Sequence, residues 1–328
     1  MDSTFVPVRS HHYDPELTFD FCVNEPAWSN QAGIHSAFGS TDRLYFRKEV
    51  PVNHDNDLSS SYSTTVWRGE RANAQILVWS SEALEQVRVS TQDLRSAEGN
   101  IIPKDRITFE LVRYVLSNYP YAEKKAICGE SPYKSGFLMP DRFETLDRFD
   151  LPSQTTRPVW MMVDVPRGTA PGTYKGKVEV RAKGKAPQLL NLEIVVQNQL
   201  LPYPKDWKYR LDLWQNPWAV AWYNHVEPWS PEHKMLLKQH LKHYADAGGT
   251  YITTYGVHSP WSDNSYMIEG GMIEWIKKAD GTWAFDYKIF DEYVELAMEC
   301  GIDDEIGTLV AISGSRYERQ EPCACPVG

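Results

Sequence analysis

The chain has 328 residues, 42% of them hydrophobic and 24% charged, with a net charge of −10. That length accommodates two domains with separate cores, and the composition is that of a globular protein rather than a disordered or fibrous one. The negative field, with no basic run to offset it, speaks against nucleic acid and anionic membrane surfaces as partners.

Residues 1–60 read as an irregular arm or loops, ending in the polar run 53–63. Their first five residues have neither the basic n-region nor the apolar h-region of a signal peptide. From residue 61 to about 198 the text is that of a β-rich domain. Gln75-Ile76-Leu77-Val78-Trp79, Val87-Arg88-Val89-Ser90-Thr91 and the run 107–116 are β-branched segments between polar turns. Val178, Val180 and Ala182 alternate with Lys177, Glu179, Arg181 and Lys183. Leu190, Leu192, Ile194 and Val196 alternate with Asn191, Glu193 and Gln197, and only Val195 breaks the series. A period of two places one face on a core and the other in water. Repeated at turn-punctuated spacing, it predicts an all-β antiparallel sandwich.

Leu200-Leu201-Pro202-Tyr203-Pro204-Lys205 is a proline-stiffened connection, and the domain boundary is placed across 199–208. Beyond it, 209–312 follows another grammar. Residues 210–214 read as a strand. Ser230-Pro231 is an N-cap with proline at the first helical position. The helix that follows aligns Leu237, Leu241, Tyr244 and Ala245 and ends at Gly248-Gly249. A strand over 251–257 comes next, then a hairpin centred on Asp280-Gly281, read as a type I′ turn with Trp275 and Trp283 in its arms. A second helix aligns Phe290, Tyr293, Val294 and Ala297 and stops at Gly301. The run 306–312 reads as a buried parallel strand. This βαβαβ order predicts an incomplete α/β, TIM-barrel-like domain of three β/α units, since a closed eight-fold barrel takes ~250 residues. Three open strands leave an edge and an apolar face uncovered, which predicts poor solubility unless a partner covers them.

Twelve Trp and eighteen Tyr, crowded between Tyr203 and Tyr293, are many for this length. They fill a large core, or their faces stack on the C–H faces of sugar rings. Cys22, Cys128, Cys300, Cys323 and Cys325 are odd in number and irregular in spacing, which suggests neither a disulfide framework nor a metal site. No stretch approaches the ~20 apolar residues of a membrane span.

Several of these segments resemble one family. Asp212-Leu213-Trp214-Gln215-Asn216-Pro217-Trp218-Ala219-Val220-Ala221 is similar to the first barrel strand and loop of glycoside hydrolase family 123-type proteins. Glu274-Trp275-Ile276-Lys277-Lys278-Ala279-Asp280-Gly281-Thr282-Trp283 and Phe290-Asp291-Glu292-Tyr293 strengthen the likeness. Gln75-Ile76-Leu77-Val78-Trp79 and Gly172-Thr173-Tyr174-Lys175-Gly176 resemble the sandwich those proteins carry ahead of the barrel.

The resemblance implies a β-N-acetylgalactosaminidase-type enzyme acting on 2-acetamido sugars in glycans, without metal or organic cofactor. Its mechanism is substrate-assisted and retaining: the acetamido oxygen attacks the anomeric carbon, an Asp steadies the acetamido group, and the adjacent Glu is acid and then base. Relatives of this kind are usually exported. Their Asp-Glu pair lies on a barrel strand beyond the third, so no catalytic residue is assigned here. Asp304-Glu305 precedes the third strand and falls at its amino-terminal end, whereas barrel chemistry is assembled at carboxyl ends. The carboxyl ends available offer Trp214, Gln215 and Asn216 after the first strand and His258 and Trp261 after the second. These five are the expected substrate-binding residues; Trp214 and Trp261 are equally readable as core, and Asp212 as an internal structural group. The tail 313–328 reads as foreign to the family, as a frameshift or premature stop would leave it. The alternative reading is a non-catalytic carbohydrate-binding or scaffold module.

Overall fold

The computed structural model describes Glu16 and residues 25–52, 58–117, 137–257 and 270–309. The chain divides after Leu201 into an amino-terminal unit, His11–Leu201, and a unit formed chiefly by Pro202–Gly328.

The amino-terminal unit begins with the single turn α1 (Glu25–Trp28) and the strands β1 (His35–Gly39), β2 (Ser61–Arg68) and β3 (Arg71–Ser80). Then come β4 (Leu84–Thr91), the short β5 (Leu94–Arg95) and β6 (Ile101–Ile102), and β7 (Ile107–Ser117). The unit closes with β8 (Phe137–Thr145), β9 (Phe149–Leu151), β10 (Thr155–Asp164), β11 (Gly172–Arg181) and β12 (Gln188–Leu200). One sheet runs β1-β3-β10-β7-β8 and the other β2-β12-β11-β4-β9, with β5 and β6 appended to β11. Ile76, Val78, Leu111 and Met161 of the first sheet share one core with Val87, Val178, Val180, Leu192 and Ile194 of the second. This is the sandwich the alternation predicts.

Two features depart from the sequence reading. β2 pairs β12 in parallel, so the second sheet is mixed rather than wholly antiparallel. The segment read as an arm also contributes β1, paired antiparallel with β3 from His35↔Trp79 to Gly39↔Gln75. Its continuation lies against the first sheet: Thr156 donates to Arg47 O at 2.8 Å, and the Tyr114 hydroxyl to Tyr45 O at 2.8 Å. That cover explains why Ile76, Leu77 and Val78 are all fully buried instead of alternating. Beneath it Glu16 binds Arg157 through two 2.9 Å contacts and Arg47 at 2.8 Å, so the buried guanidinium groups are paired.

The second unit contains α2 (Pro217–Asn224), α3 (Pro231–Asp246), β13 (Tyr251–Tyr255), β14 (Glu274–Lys277), β15 (Trp283–Asp286), α4 (Lys288–Glu299) and β16 (Glu305–Leu309). β13 and β16 pair in parallel, Tyr251↔Glu305 through Tyr255↔Leu309, as a strand–helix–strand order requires. The strand read over 210–214 is reduced to one parallel bridge, Leu211↔Gly249. Asp212 is exposed there rather than internal. The expected three-stranded sheet is therefore two paired strands and a bridge among the described residues.

The helices follow their stripes. Leu237, Leu241 and Tyr244 of α3 and Tyr293 and Ala297 of α4 pack in one core with Ile252, Tyr255 and Ile302. Ser230 caps α3 by accepting from His233 N at 3.2 Å. Gly249 follows the helix where a Cβ would strike the Tyr244 ring. The β14–β15 loop is not the two-residue type I′ turn. Gly281 N bonds Lys278 O at 3.0 Å and Lys278 N bonds Thr282 O at 2.8 Å. Gly281 alone in this loop takes a positive φ (83°). A three-residue type I loop with a left-handed Gly satisfies that pattern, because Asp280 need not adopt positive φ.

Candidate functional site

The site is built where β13 ends. Asn216-Pro217 starts α2, with the Asn216 side chain accepting from Ala219 N at 3.2 Å. Trp218 of α2 meets Tyr255 of β13 edge-to-face at 5.2 Å and Trp229 at 5.5 Å. Trp229 in turn meets Tyr293 of α4 at 5.9 Å. Edge-to-face packing of this kind orients rings firmly.

His233, in the first turn of α3, is completely buried and holds the cluster at its base. Its Nδ1 accepts from Trp229 N at 2.8 Å, while Nε2 lies 2.9 Å from Pro217 O. The first contact requires an unprotonated Nδ1, so Nε2 carries the hydrogen and donates to the carbonyl. Burial pushes this imidazole below its ordinary pKa, and the bond to Pro217 opposes the shift only in part. Trp229 is thereby held in a left-handed conformation, φ 63°.

Beyond Tyr255 the chain returns as an added layer. Met272 N bonds Tyr255 O at 2.6 Å, and the Trp275 indole N–H bonds Gly256 O at 2.8 Å. These contacts bring the β14–β15 hairpin to the carboxyl end of β13 and frame a cleft of about 880 Å³. Trp229, Lys234, Val257, Glu274, Trp275, Asp286 and Glu292 are among its lining residues. Lys234 Nζ pairs with Glu292 at 3.1 Å. Asp286 Oδ1 accepts from Lys288 N at 2.8 Å at the start of α4. Indoles, carboxylate acceptors and an ammonium lining one cleft form a set able to stack on a sugar ring and bond its hydroxyls.

The residues singled out from sequence are placed differently from one another. Trp214 presents 62% of its surface to solvent and so is not core. Gln215 is engaged with backbone: its Oε1 accepts from Thr253 N at 2.8 Å, and its Nε2 donates to Leu213 O. The Asn216 side chain caps α2. Gln215 and Asn216 therefore support the site's framework, and neither lines the cleft. His258 and Trp261 lie outside the described residues. Glu305 opens β16, so Asp304-Glu305 sits at the amino-terminal end of that strand.

Glu274, Trp275 and Glu292 were legible as parts of the family-like segments, and Trp275 as a hairpin arm, but none was singled out as a ligand, and Asp286 carried no signal. The indoles on both arms of an Asp-Gly hairpin were the available clue. Among the described residues no group of three His, Cys, Asp or Glu is placed to hold a metal ion. Cys300 is buried, its thiol 3.5 Å from Lys238 O. No helix among the described residues is long and apolar enough to cross a membrane.

Two family models match the sequence, the glycoside hydrolase 123 N-terminal domain over residues 38–182 and the glycoside hydrolase 123 catalytic domain over 214–321. The chain belongs to glycoside hydrolase family 123. A family 123 glycoside hydrolase from Clostridium perfringens, solved in a study of glycolipid glycan hydrolysis, has a similar fold, with a TM-score of 0.74 at 24% identity. The similarity covers 84% of this family 123 chain and 48% of the clostridial one, so the chain spans about half of that relative's length. The PapD-like domain of human CEP192 is similar at 12% identity over 56% of this chain and 99% of its own, TM-score 0.27. A Bacteroides ovatus GH5 xyloglucanase gives 10% identity over 74% and 42%, TM-score 0.20. Similarity that slight carries no argument. No curated protein matches the sequence. The catalytic-domain match runs to residue 321, into the tail read as foreign to the family, and weighs against that reading.

Proposed function

We propose that this chain supplies the sandwich and the opening β/α portion of a (β/α)8 barrel in an enzyme that hydrolyses β-linked 2-acetamido sugars, β-N-acetylgalactosaminides in particular. The observation that carries the reading is the cleft at the carboxyl end of β13, lying within the segment that matches the family's catalytic domain. Ligands of parallel α/β structures collect at that end of the strands.

The reaction is substrate-assisted. The acetamido oxygen displaces the leaving group at the anomeric carbon, and water later opens the cyclic intermediate with retention. The Asp-Glu pair that steadies the acetamido group and moves the protons belongs to a later strand, outside these 328 residues. Trp214, exposed on the first loop, is proposed as a stacking surface, and the sequence reading of His258 and Trp261 as substrate-binding residues is kept as part of this proposal. The cleft holds the sugar, and the chain by itself binds without turnover. The second reading, a non-catalytic glycan-binding or scaffold module, differs in having no continuation that turns over.

The test uses the 328-residue chain with a chromogenic 2-acetamido-β-galactoside and with the free 2-acetamido sugar. The expected result is binding of the sugar without release of the chromophore. Turnover would show that the catalytic acids lie within this chain. Absence of binding to either compound would remove the cleft from consideration.

A further inference from the structure

Away from the cleft, three arginines gather in the amino-terminal unit. Arg47 follows β1, and Arg113 and Arg157 lie on the neighbouring strands β7 and β10. All three converge on the carboxylate of Glu16. Arg157 grips it through two 2.9 Å contacts, Arg47 meets it at 2.8 Å and Arg113 at 3.2 Å. The side chains of Glu16 and Arg157 are 6% exposed and that of Arg47 is 8% exposed, so water does little of the solvation. Burial would raise the Glu16 pKa, but the bonds from Arg157 and Arg47 outweigh it and hold the carboxyl below its usual range.

The guanidinium groups do not depend on Glu16 for their positions. Arg157 also donates to Val112 O at 3.0 Å and lies 4.9 Å from the Tyr114 ring centre, with Arg47 5.8 Å from the same ring. Tyr114 is itself fixed, its hydroxyl donating to Tyr45 O at 2.8 Å. Arg113 is paired with Glu144 of β8. Each cation therefore has a second contact that holds it in place, and the planar donors are set before any occupant arrives. Among the described residues these three cations face two carboxylates, Glu16 and Glu144. Without Glu16, two positive charges would stand uncompensated at a nearly buried site, and a planar anion with two oxygens matches the fork they form.

We propose that Arg47, Arg113 and Arg157 form a carboxylate-binding pocket in the sandwich and that Glu16 is its internal ligand. The inference is independent of the reading of the cleft. Glu16 lies 31, 97 and 141 residues from its three partners, so filling the pocket fastens residue 16 to distant parts of the unit. A tethered ligand has the advantage of effective concentration, so a free carboxylate enters only when the Glu16 carboxylate is removed.

Amide hydrogen exchange in the 328-residue chain tests it, read at Thr156, whose N–H is bonded to Arg47 O at 2.8 Å. Glu16→Ala should speed exchange there by at least about tenfold, because removing one partner leaves buried charge uncompensated. Formate at about 50 mM should reverse at least about half of that change, equimolar chloride should not, and neither should alter the parent chain, whose pocket is full. Glu16→Gln keeps the shape and removes the charge. Exchange should rise in it too, and formate should not correct the rise because the carboxamide fills the space. It is the variant read if Glu16→Ala fails to fold by circular dichroism. Exchange at Thr156 unchanged in a folded variant would overturn the pocket. A folded Glu16→Ala chain with no formate response would also overturn it. So would an equal response in variant and parent, which marks an adventitious ion only.

Discussion

His233 is a buried polar residue whose role follows from two contacts and a proton count. With Nδ1 accepting from Trp229 and Nε2–H donating to Pro217, the neutral ring is fully satisfied. A second proton would face the Trp229 N–H directly. The folded-state pKa lies below the ordinary value of 6.5 because the ring is buried. Below that pH the unfolded chain therefore binds more protons than the folded one, and stability falls as pH drops through it. In the 328-residue chain, the denaturant concentration that disorders the carboxyl-terminal unit should decline from about pH 7.5 to about 5.5, the range in which an unfolded His titrates. His233→Ala should destabilise by about 1–3 kcal/mol at neutral pH, since it strands two buried backbone groups. It should also reduce the pH slope, the remainder belonging to His240, which burial likewise holds below its ordinary pKa, and a slope wholly unchanged in the variant would remove His233 from the titration. No spacing marks a residue whose partners are the backbone atoms of Trp229 and Pro217.

At the scale of elements, period was readable and pairing was not. β11 and β12 were legible because alternation is a local property of the chain. Their partners β4 and β2, and the parallel sense of β2–β12, depend on long-range topology. α2 carried the same Asn-Pro signal that located α3 with Ser-Pro, but eight residues beside a strand-like run read as loop. The first expected barrel strand fails for a specific reason. Gln215 places its carboxamide against the edge of β13 and takes the Thr253 N–H that a strand carbonyl would otherwise take. The same residue, read from sequence as a sugar ligand, thus acts on the sheet. Gln215→Ala should raise amide hydrogen exchange at Thr253 and cost about 1–3 kcal/mol, the penalty of an unsatisfied buried donor. Protection at Thr253 unchanged in the variant would show that the edge is held by something else.

At the scale of the whole molecule the two units differ in how much of their apolar surface they cover. The amino-terminal unit keeps its main core within residues 34–196, drawn from both sheets. Its buried Arg47 and Arg157 are paired with Glu16 of the same unit. Nothing in that core requires residues after Leu201. The carboxyl-terminal unit leaves Tyr209, Leu213, Trp214, Trp222, Tyr223, Trp275, Trp283 and Ile306 at least half exposed. β13 and β16, its parallel pair, are bordered by a single bridge. Parallel strands are ordinarily buried on both faces, so that exposure is a liability the unit does not relieve internally. A fragment of residues 11–201 should accordingly be monomeric, unfold cooperatively and leave the fluorescence of a hydrophobic dye unchanged. A fragment of residues 202–328 should bind the dye and lose structure gradually. The contrast is the informative part, because both fragments derive from one chain and are compared under the same conditions. A dye-silent, sharply melting carboxyl-terminal fragment would mean that its exposed rings are compatible with a closed core, and that the expected need for a covering partner is wrong.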